Sequence, residues 1–227
     1  MKKGKFIVIE GTDGSGKKTQ ADILLKRLRD ESRDVSIFDF PQYGNKSAHF
    51  VERYLRGEYG GLEEVGPHKA SIFYALDRFE AGEEIKKVLD SGGIALSNRY
   101  VGSNMGHQGA KFDDSFLRQE YFKWLYDLEF GLLGIPRPDL NIVLFVPPEV
   151  GQKLVDKKDK RDYTKGKKRD LHEENIDHLK KTAQVYREMV GLFPTEFVLV
   201  DCTDEGELMS IEDIHERVWD LVKKHIS

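Results

Sequence analysis

The residues best equipped for chemistry stand together near the start of the chain, where Gly11-Thr12-Asp13-Gly14-Ser15-Gly16-Lys17 fits the spacing G-x-x-x-x-G-K. A short apolar run precedes them and a helical pattern follows, the context in which this spacing is informative. Glycines let the backbone curl until its N–H groups point at phosphate oxygens. The helix N-terminus adds positive potential, and Lys17 can reach the β and γ oxygens of a nucleoside triphosphate. ATP is the expected ligand, cradled by Gly11, Thr12, Asp13, Gly14, Ser15, Gly16, Lys17, Lys18 and Thr19. The competing reading is a plain glycine turn with a solvated lysine. Such loops usually set a Ser or Thr on Mg²⁺ directly after the lysine. Here Lys18 holds that place and the hydroxyl follows at Thr19.

A phosphate cradle alone does not separate kinases from GTPases, motors or ATP-driven switches. Phosphoryl transfer to an acceptor needs a second anion site facing the first. Arg99, at the end of an expected strand where α/β ligands gather, is the candidate for it, because its planar fork matches phosphate oxygens. A salt bridge at the sheet edge is the alternative. Tyr74 and Arg78 are four residues apart and share one face of a helix. That face suits a base; equally, Tyr74 with Phe73 suits a core, with Arg78 paired to a carboxylate. Asn104 offers both a donor and an acceptor, the complement of a pyrimidine N3–H and O4 edge.

These side chains need elements to hold them. Apolar or β-branched runs at 6–9, 35–38, 93–96, 141–146 and 196–200 read as buried parallel strands. Helical spacing fills 21–29, 68–89, 114–133, 172–190 and 211–224. Ser210, with Asp213 three residues on, marks the last helix start. The alternation implies an α/β fold, a doubly wound five-stranded parallel sheet, in a single domain over residues 1–227. Residues 153–170 hold seven lysines, two arginines and four aspartates, which reads as a lid at about 153–172.

The balance of 36 basic and 40 acidic residues, net charge −4, carries no global positive field for a nucleic-acid polymer. The single cysteine, Cys202, has no intramolecular disulfide partner, which suits a reducing cytoplasm. Every apolar run falls well short of the roughly 20 residues that cross a bilayer, so no membrane association is expected.

Phe40-Pro41-Gln42-Tyr43, Tyr74-Ala75-Leu76-Asp77-Arg78, Asn98-Arg99-Tyr100 and the run from Ser103 to Gly109 follow one another in order. Together with Asp13 and the stretch Asp170-Leu171-His172-Glu173, they resemble the thymidylate kinase family of P-loop nucleoside monophosphate kinases. The resemblance implies transfer from ATP, with Mg²⁺, to dTMP, giving ADP and dTDP, and it implies a homodimer.

It assigns base stacking to Tyr74, here in place of the commoner Phe, and a base carbonyl to Arg78. Asn104 falls on the base edge, while Phe40, Pro41 and Tyr43 become a pocket wall, although a turn that simply packs the sheet fits these three as well. Ser103, His107 and Gln108 lie beside the nucleoside, with His107 where many members carry Tyr near the sugar. Asp13 falls near the acceptor sugar and the bridged phosphates; a loop-capping role is its alternative. Asn98 replaces the Asp of the family's Asp-Arg-Tyr pattern, which leaves Mg²⁺ to Asp13, Glu173, the nucleotide phosphates and water. Arg161 and Arg169 are the lid's candidates for closing over the transferring group, most other lid cations being solvated. The rivals are another nucleotide or deoxynucleoside kinase and a non-enzymatic ATP-binding switch.

Overall fold

A computed structural model describes residues 3–156 and 176–226. Five parallel strands, β1 (Lys5–Gly11), β2 (Val35–Asp39), β3 (Ile94–Asn98), β4 (Leu140–Phe145) and β5 (Phe197–Asp201), form one sheet in the order β2-β3-β1-β4-β5. Phe6 and Val8 of β1 enter the apolar cluster on one face, and Ile7 and Ile9 enter the cluster on the other. Burial on both faces is why the strands read as continuous apolar runs rather than alternating ones.

Helices α1 (Lys17–Asp30) and α8 (Ile211–Ile226) cover one face of the sheet. Ser210 caps α8 by accepting the Asp213 amide at 3.0 Å. Helices α3 (Leu62–Asp90), α4 (Val101–Gly109), α5 (Ser115–Tyr126) and α7 (Ile176–Leu192) pack on the other face. Helix α3 begins earlier than its spacing suggests and breaks at Gly66, which has φ 71° and precedes Pro67. The expected helix at 114–133 is α5 followed by a widened helical turn, Asp127–Leu132. Short α2 (His49–Leu55) and α6 (Pro148–Asp156), and the hairpin β6 (Thr203–Asp204) and β7 (Glu207–Leu208), complete the described elements.

Helix α4 carries three glycines, poor helix formers in isolation. Packing explains them: a Cβ on Gly106 would come within 2.6 Å of the Tyr186 ring, and one on Gly109 within 2.9 Å of Phe122. Close approach of α7 and α5 therefore overrides local propensity. The expected lid begins inside α6, and its remainder, with Arg161, Arg169 and Glu173, lies outside the described residues.

Candidate active site

The carboxyl ends of β1 and β3, adjacent in the sheet with Ile9 opposite Asn98, bring the glycine-rich loop against Arg99. Helix α1 starts behind the loop with no side-chain cap, so its first-turn N–H groups are open to an anion. Thr12 ties the loop to the exit of β4 through its hydroxyl, which donates to the Val146 carbonyl at 3.3 Å. Gly14 has φ 78°, and its Cα side lies so close to Gly151 of α6 that a Cβ there would fall 2.1 Å from the Gly151 carbonyl oxygen. The Lys17 ammonium folds back on the loop and donates to the carbonyls of Gly11 at 3.1 Å and Thr12 at 2.6 Å.

From this loop a cavity of about 560 Å³ runs to the far end of α3 and α4. Asp13, Gly14, Gly16, Lys17, Lys18 and Thr19 line one end; Gly11, Thr12 and Ser15 sit behind that wall. Phe40, Pro41, Tyr43, Tyr74 and Arg78 line the other end, with Ser103, Asn104, His107 and Gln108 of α4.

Arg99 spans the middle. It adopts φ 67°, unusual for a residue with a side chain. Its guanidinium donates to Asp13 Oδ1 at 2.5 Å and Ser103 Oγ at 3.2 Å, with His107 Nε2 at 3.3 Å. Burial opposes the charge on Asp13, but Arg99, then His107 and Lys17, outweigh it and hold the carboxyl well below the ordinary range. Burial likewise opposes the Arg99 charge, and Asp13 leads the groups that raise its pKa regardless. Burial pushes His107 down to about 3, against the pull of Asp13 and with the help of Arg99. His107 is therefore a neutral imidazole at neutral pH, and a hydrogen bond from Arg99 would use Nε2 as the acceptor.

At the far end, Arg78 forms a two-pronged pair with Glu129, Nε to Oε2 at 2.6 Å and Nη2 to Oε1 at 2.5 Å, with both side chains buried. Asn104 donates through Nδ2 to the Ser71 carbonyl at 3.2 Å and to Glu129 Oε1 at 3.3 Å. Gln108 follows one helical turn later. It is buried, lines the cavity, and neither its Nε2 nor its Oε1 has a hydrogen-bond partner among the described residues. Tyr74 packs edge-on to Tyr54, whereas Phe73 stacks on Phe50 in a separate small core.

The family model described as thymidylate kinase matches residues 9–217, most of the chain. The chain belongs to the thymidylate kinase family. The thymidylate kinase of Mycobacterium tuberculosis (strain ATCC 25618 / H37Rv) is 32% identical over 187 residues, 82% of this chain and 86% of that one. That of Schizosaccharomyces pombe is 26% identical over 223 residues, covering 97% and 92%. A solved thymidylate kinase from Candida albicans has the same fold, with TM-score 0.75 at 24% identity over 98% of this chain and 92% of that chain. Thymidylate kinases are ATP-dependent nucleoside monophosphate kinases, so two facing anion sites in one cavity are what membership requires.

Against that family pattern, the structure realises both readings open at Tyr74 and Arg78. Phe73 and Tyr74 both pack against the small core, Tyr74 also lining the cavity, and Arg78 lines the cavity while committed to a carboxylate. Arg99 does form an ion pair, but with the phosphate loop rather than across the sheet edge.

Four carboxylates that matter were not singled out by the sequence. Glu10 accepts from the Tyr100 and Ser103 amides at 2.7 and 3.0 Å and from Ser103 Oγ at 2.6 Å, pinning the start of α4. Glu129 holds Arg78. Asp77 accepts from the Gln42 amide at 2.8 Å and from Ser47 Oγ at 2.6 Å, fixing the loop after Pro41. Asp39 lines the cavity and accepts from Asn98 Nδ2 at 2.8 Å. Glu10, which interrupts an apolar run immediately before the glycine loop, carried the one local signal. The other three are paired with residues 30 to 59 positions away in sequence for Asp39 and Asp77, and 51 for Glu129.

Proposed function

We propose that this chain transfers the γ-phosphoryl group of ATP to the phosphate of dTMP, giving ADP and dTDP. The observation that carries this reading is the single cavity with an open helix N-terminus and Lys17 at one end and the unpaired amide of Gln108 at the other. An anion suits the first end. A base with a donor beside an acceptor suits the second, because a buried amide without partners costs about 1–3 kcal/mol per unsatisfied group.

In this reading Lys17 exchanges its loop carbonyls for the β and γ oxygens of ATP, and Arg99 offers its fork to the acceptor phosphate while Asp13 fixes its position. Tyr74 stacks on the base between the walls made by Phe40, Pro41 and Tyr43. The Asn104 amide nitrogen is committed to Ser71 and Glu129, so Gln108 becomes the stronger reader of the N3–H and O4 edge, with Asn104 Oδ1 beside it. Arg78 and Glu129 hold that end rigid. A monophosphate acceptor is already ionised and needs no general base.

Mg²⁺ belongs to the same proposal. The cavity offers hard oxygen donors, which suit it, but no group of three or more His, Cys, Asp or Glu able to hold a metal exists among the described residues. When bound, Mg²⁺ would supply positive charge that screens the phosphates, and Asp13 would help to hold it; Glu173, the other proposed ligand, lies outside the described residues. Arg161 and Arg169 remain the proposed lid cations for the transferring group and lie outside the described residues. The domain is single, with the lid as its insertion.

A homodimer is supported by Ile72, Leu76 and Phe79, exposed apolar residues along one stripe of α3. No helix among the described residues is long and apolar enough to cross a membrane. A cytoplasmic setting is supported by Cys202, buried and unpaired.

Coupled ADP release across nucleoside monophosphates tests the reading: dTMP should drive the fastest turnover. Rapid ADP formation with thymidine but not dTMP would overturn it in favour of a nucleoside kinase. ATP binding with no acceptor-dependent turnover would favour a switch.

A further inference from the structure

Asp39 and Asn98 close the ends of β2 and β3 and are register partners in the ladder between those strands. Asn98 uses its Nδ2 to hold Asp39 Oδ1 at 2.8 Å. That leaves Asn98 Oδ1 buried with no hydrogen bond among the described residues, next to the exposed carboxylate of Asp39. The Asn98 side chain is 92% buried by its 8% exposure, and its Oδ1 has no access to bulk water. A buried carbonyl oxygen left this way is destabilising by about 1–3 kcal/mol unless something fills the need. Both residues line the cavity with Lys17 and Thr19 of the phosphate loop.

The ligand that meets this need must bring positive charge or donors. Phosphate oxygens only accept, so neither Asp39 Oδ2 nor Asn98 Oδ1 can take one directly; a carboxylate beside bare phosphates would repel them. A hydrated divalent cation resolves the conflict, since its inner sphere takes phosphate oxygens and its waters donate outward. Mg²⁺ is characteristically held by one or two carboxylates plus substrate phosphates while keeping several waters.

We propose that Asp39, held by Asn98, is a further carboxylate for the hydrated magnesium ion of the ATP site, the unpaired Asn98 carbonyl dipole adding negative potential beside it. This rests on the proposed ATP-dependent function and adds to it a residue at a strand end that the Asp-Arg-Tyr pattern does not include. The negative charge has moved one strand across, from the position of Asn98 to its ladder partner.

The test uses Mn²⁺ as the magnesium probe and a non-hydrolysable ATP analogue, with no acceptor, and reads bound Mn²⁺ by electron paramagnetic resonance. Asp39→Asn should weaken Mn²⁺ in the ternary complex about 10-fold or more, the scale of disrupted metal-site partners. Binding of the analogue in EDTA should stay unchanged. The exchange variant carrying both Asp39→Asn and Asn98→Asp should recover most of the lost affinity, which also guards against a folding defect in the single variant.

Wild-type Mn²⁺ affinity in Asp39→Asn would overturn the proposal. So would an equal loss of analogue binding with and without metal, or an exchange variant no better than the single one. Because no acceptor is present, a wild-type protein that fails to phosphorylate dTMP strikes the proposed function alone and leaves the metal result standing.

Discussion

Arg99 Nη2 donates to Asp13 Oδ1 at 2.5 Å, so the candidate acceptor cation at the end of β3 is fixed by the loop proposed to cradle the donor nucleotide. The pair couples the two halves of the cavity. Arg99→Ala should raise the KM for dTMP and lower kcat together, with a loss in kcat/KM of about 10- to 100-fold, the scale of a charge-assisted hydrogen bond. Steady-state kinetics at saturating ATP measures it, and unchanged dTMP kinetics would remove Arg99 from its role.

Gln108 is a buried amide with no hydrogen-bond partner among the described residues, and filling its need should depend on the base. Gln108→Leu should raise the KM for dTMP about 10-fold or more, since a site built to hydrogen-bond loses discrimination when the polar group goes. Protein stability should hold or rise, because an unsatisfied buried amide has been removed. Denaturant unfolding beside a dTMP and dCMP kinetic comparison checks both halves.

Arg78 and Glu129 are a different case, because each already satisfies the other in a dry interior. Removing one partner strands a buried charge, which typically costs about 3–5 kcal/mol. Glu129→Ala should therefore lower the midpoint of urea unfolding strongly even without nucleotide. A variant of wild-type stability would show that the pair contributes little to the fold.

His107 and His178 give the fold a pH signature. Asp13, Arg99, Lys17 and His178 face His107, and burial leads in depressing His107 to about 3 and His178 to about 4. Between those values and the ordinary histidine value of about 6.5, the unfolded chain binds protons that the folded chain does not. Their contribution is fully present above about 6.5 and is lost as pH falls toward the folded values. Urea unfolding at pH 7 and pH 5 should show lower stability at pH 5. The double variant His107→Gln with His178→Gln should lose less over the same interval.

Gly151 lies far from the G-x-x-x-x-G-K motif in sequence, yet a Cβ on it would fall 2.3 Å from the Asp13 carbonyl oxygen. Gly151→Ala should displace the phosphate loop, raising the KM for ATP more than that for dTMP. Equal effects on both, or none, would show that α6 and the loop can separate without consequence.

Much of this was legible along the chain because its signals are local. Strand, glycine loop, lysine and helix follow one another without interruption, so residues 11–19 declare a phosphate cradle by spacing alone. The five strands are legible because burial on both faces leaves uninterrupted apolar runs. Helix α4 was not, since Gly102, Gly106 and Gly109 weaken its local preference and only the packed partners explain them.

The sequence by itself determined the phosphate loop, the parallel sheet and the set of side chains suited to a nucleotide acceptor. Tertiary structure decided how those side chains are engaged: Arg99 on Asp13, Arg78 on Glu129, Asn104 partly committed and Gln108 left open. It also moved Asp39 from an unremarked strand end to the cavity wall beside Asn98. The reason is physical: a backbone motif is written in consecutive residues, whereas the charge and hydrogen-bonding capacity of a side chain depend on partners that folding brings from distant parts of the chain.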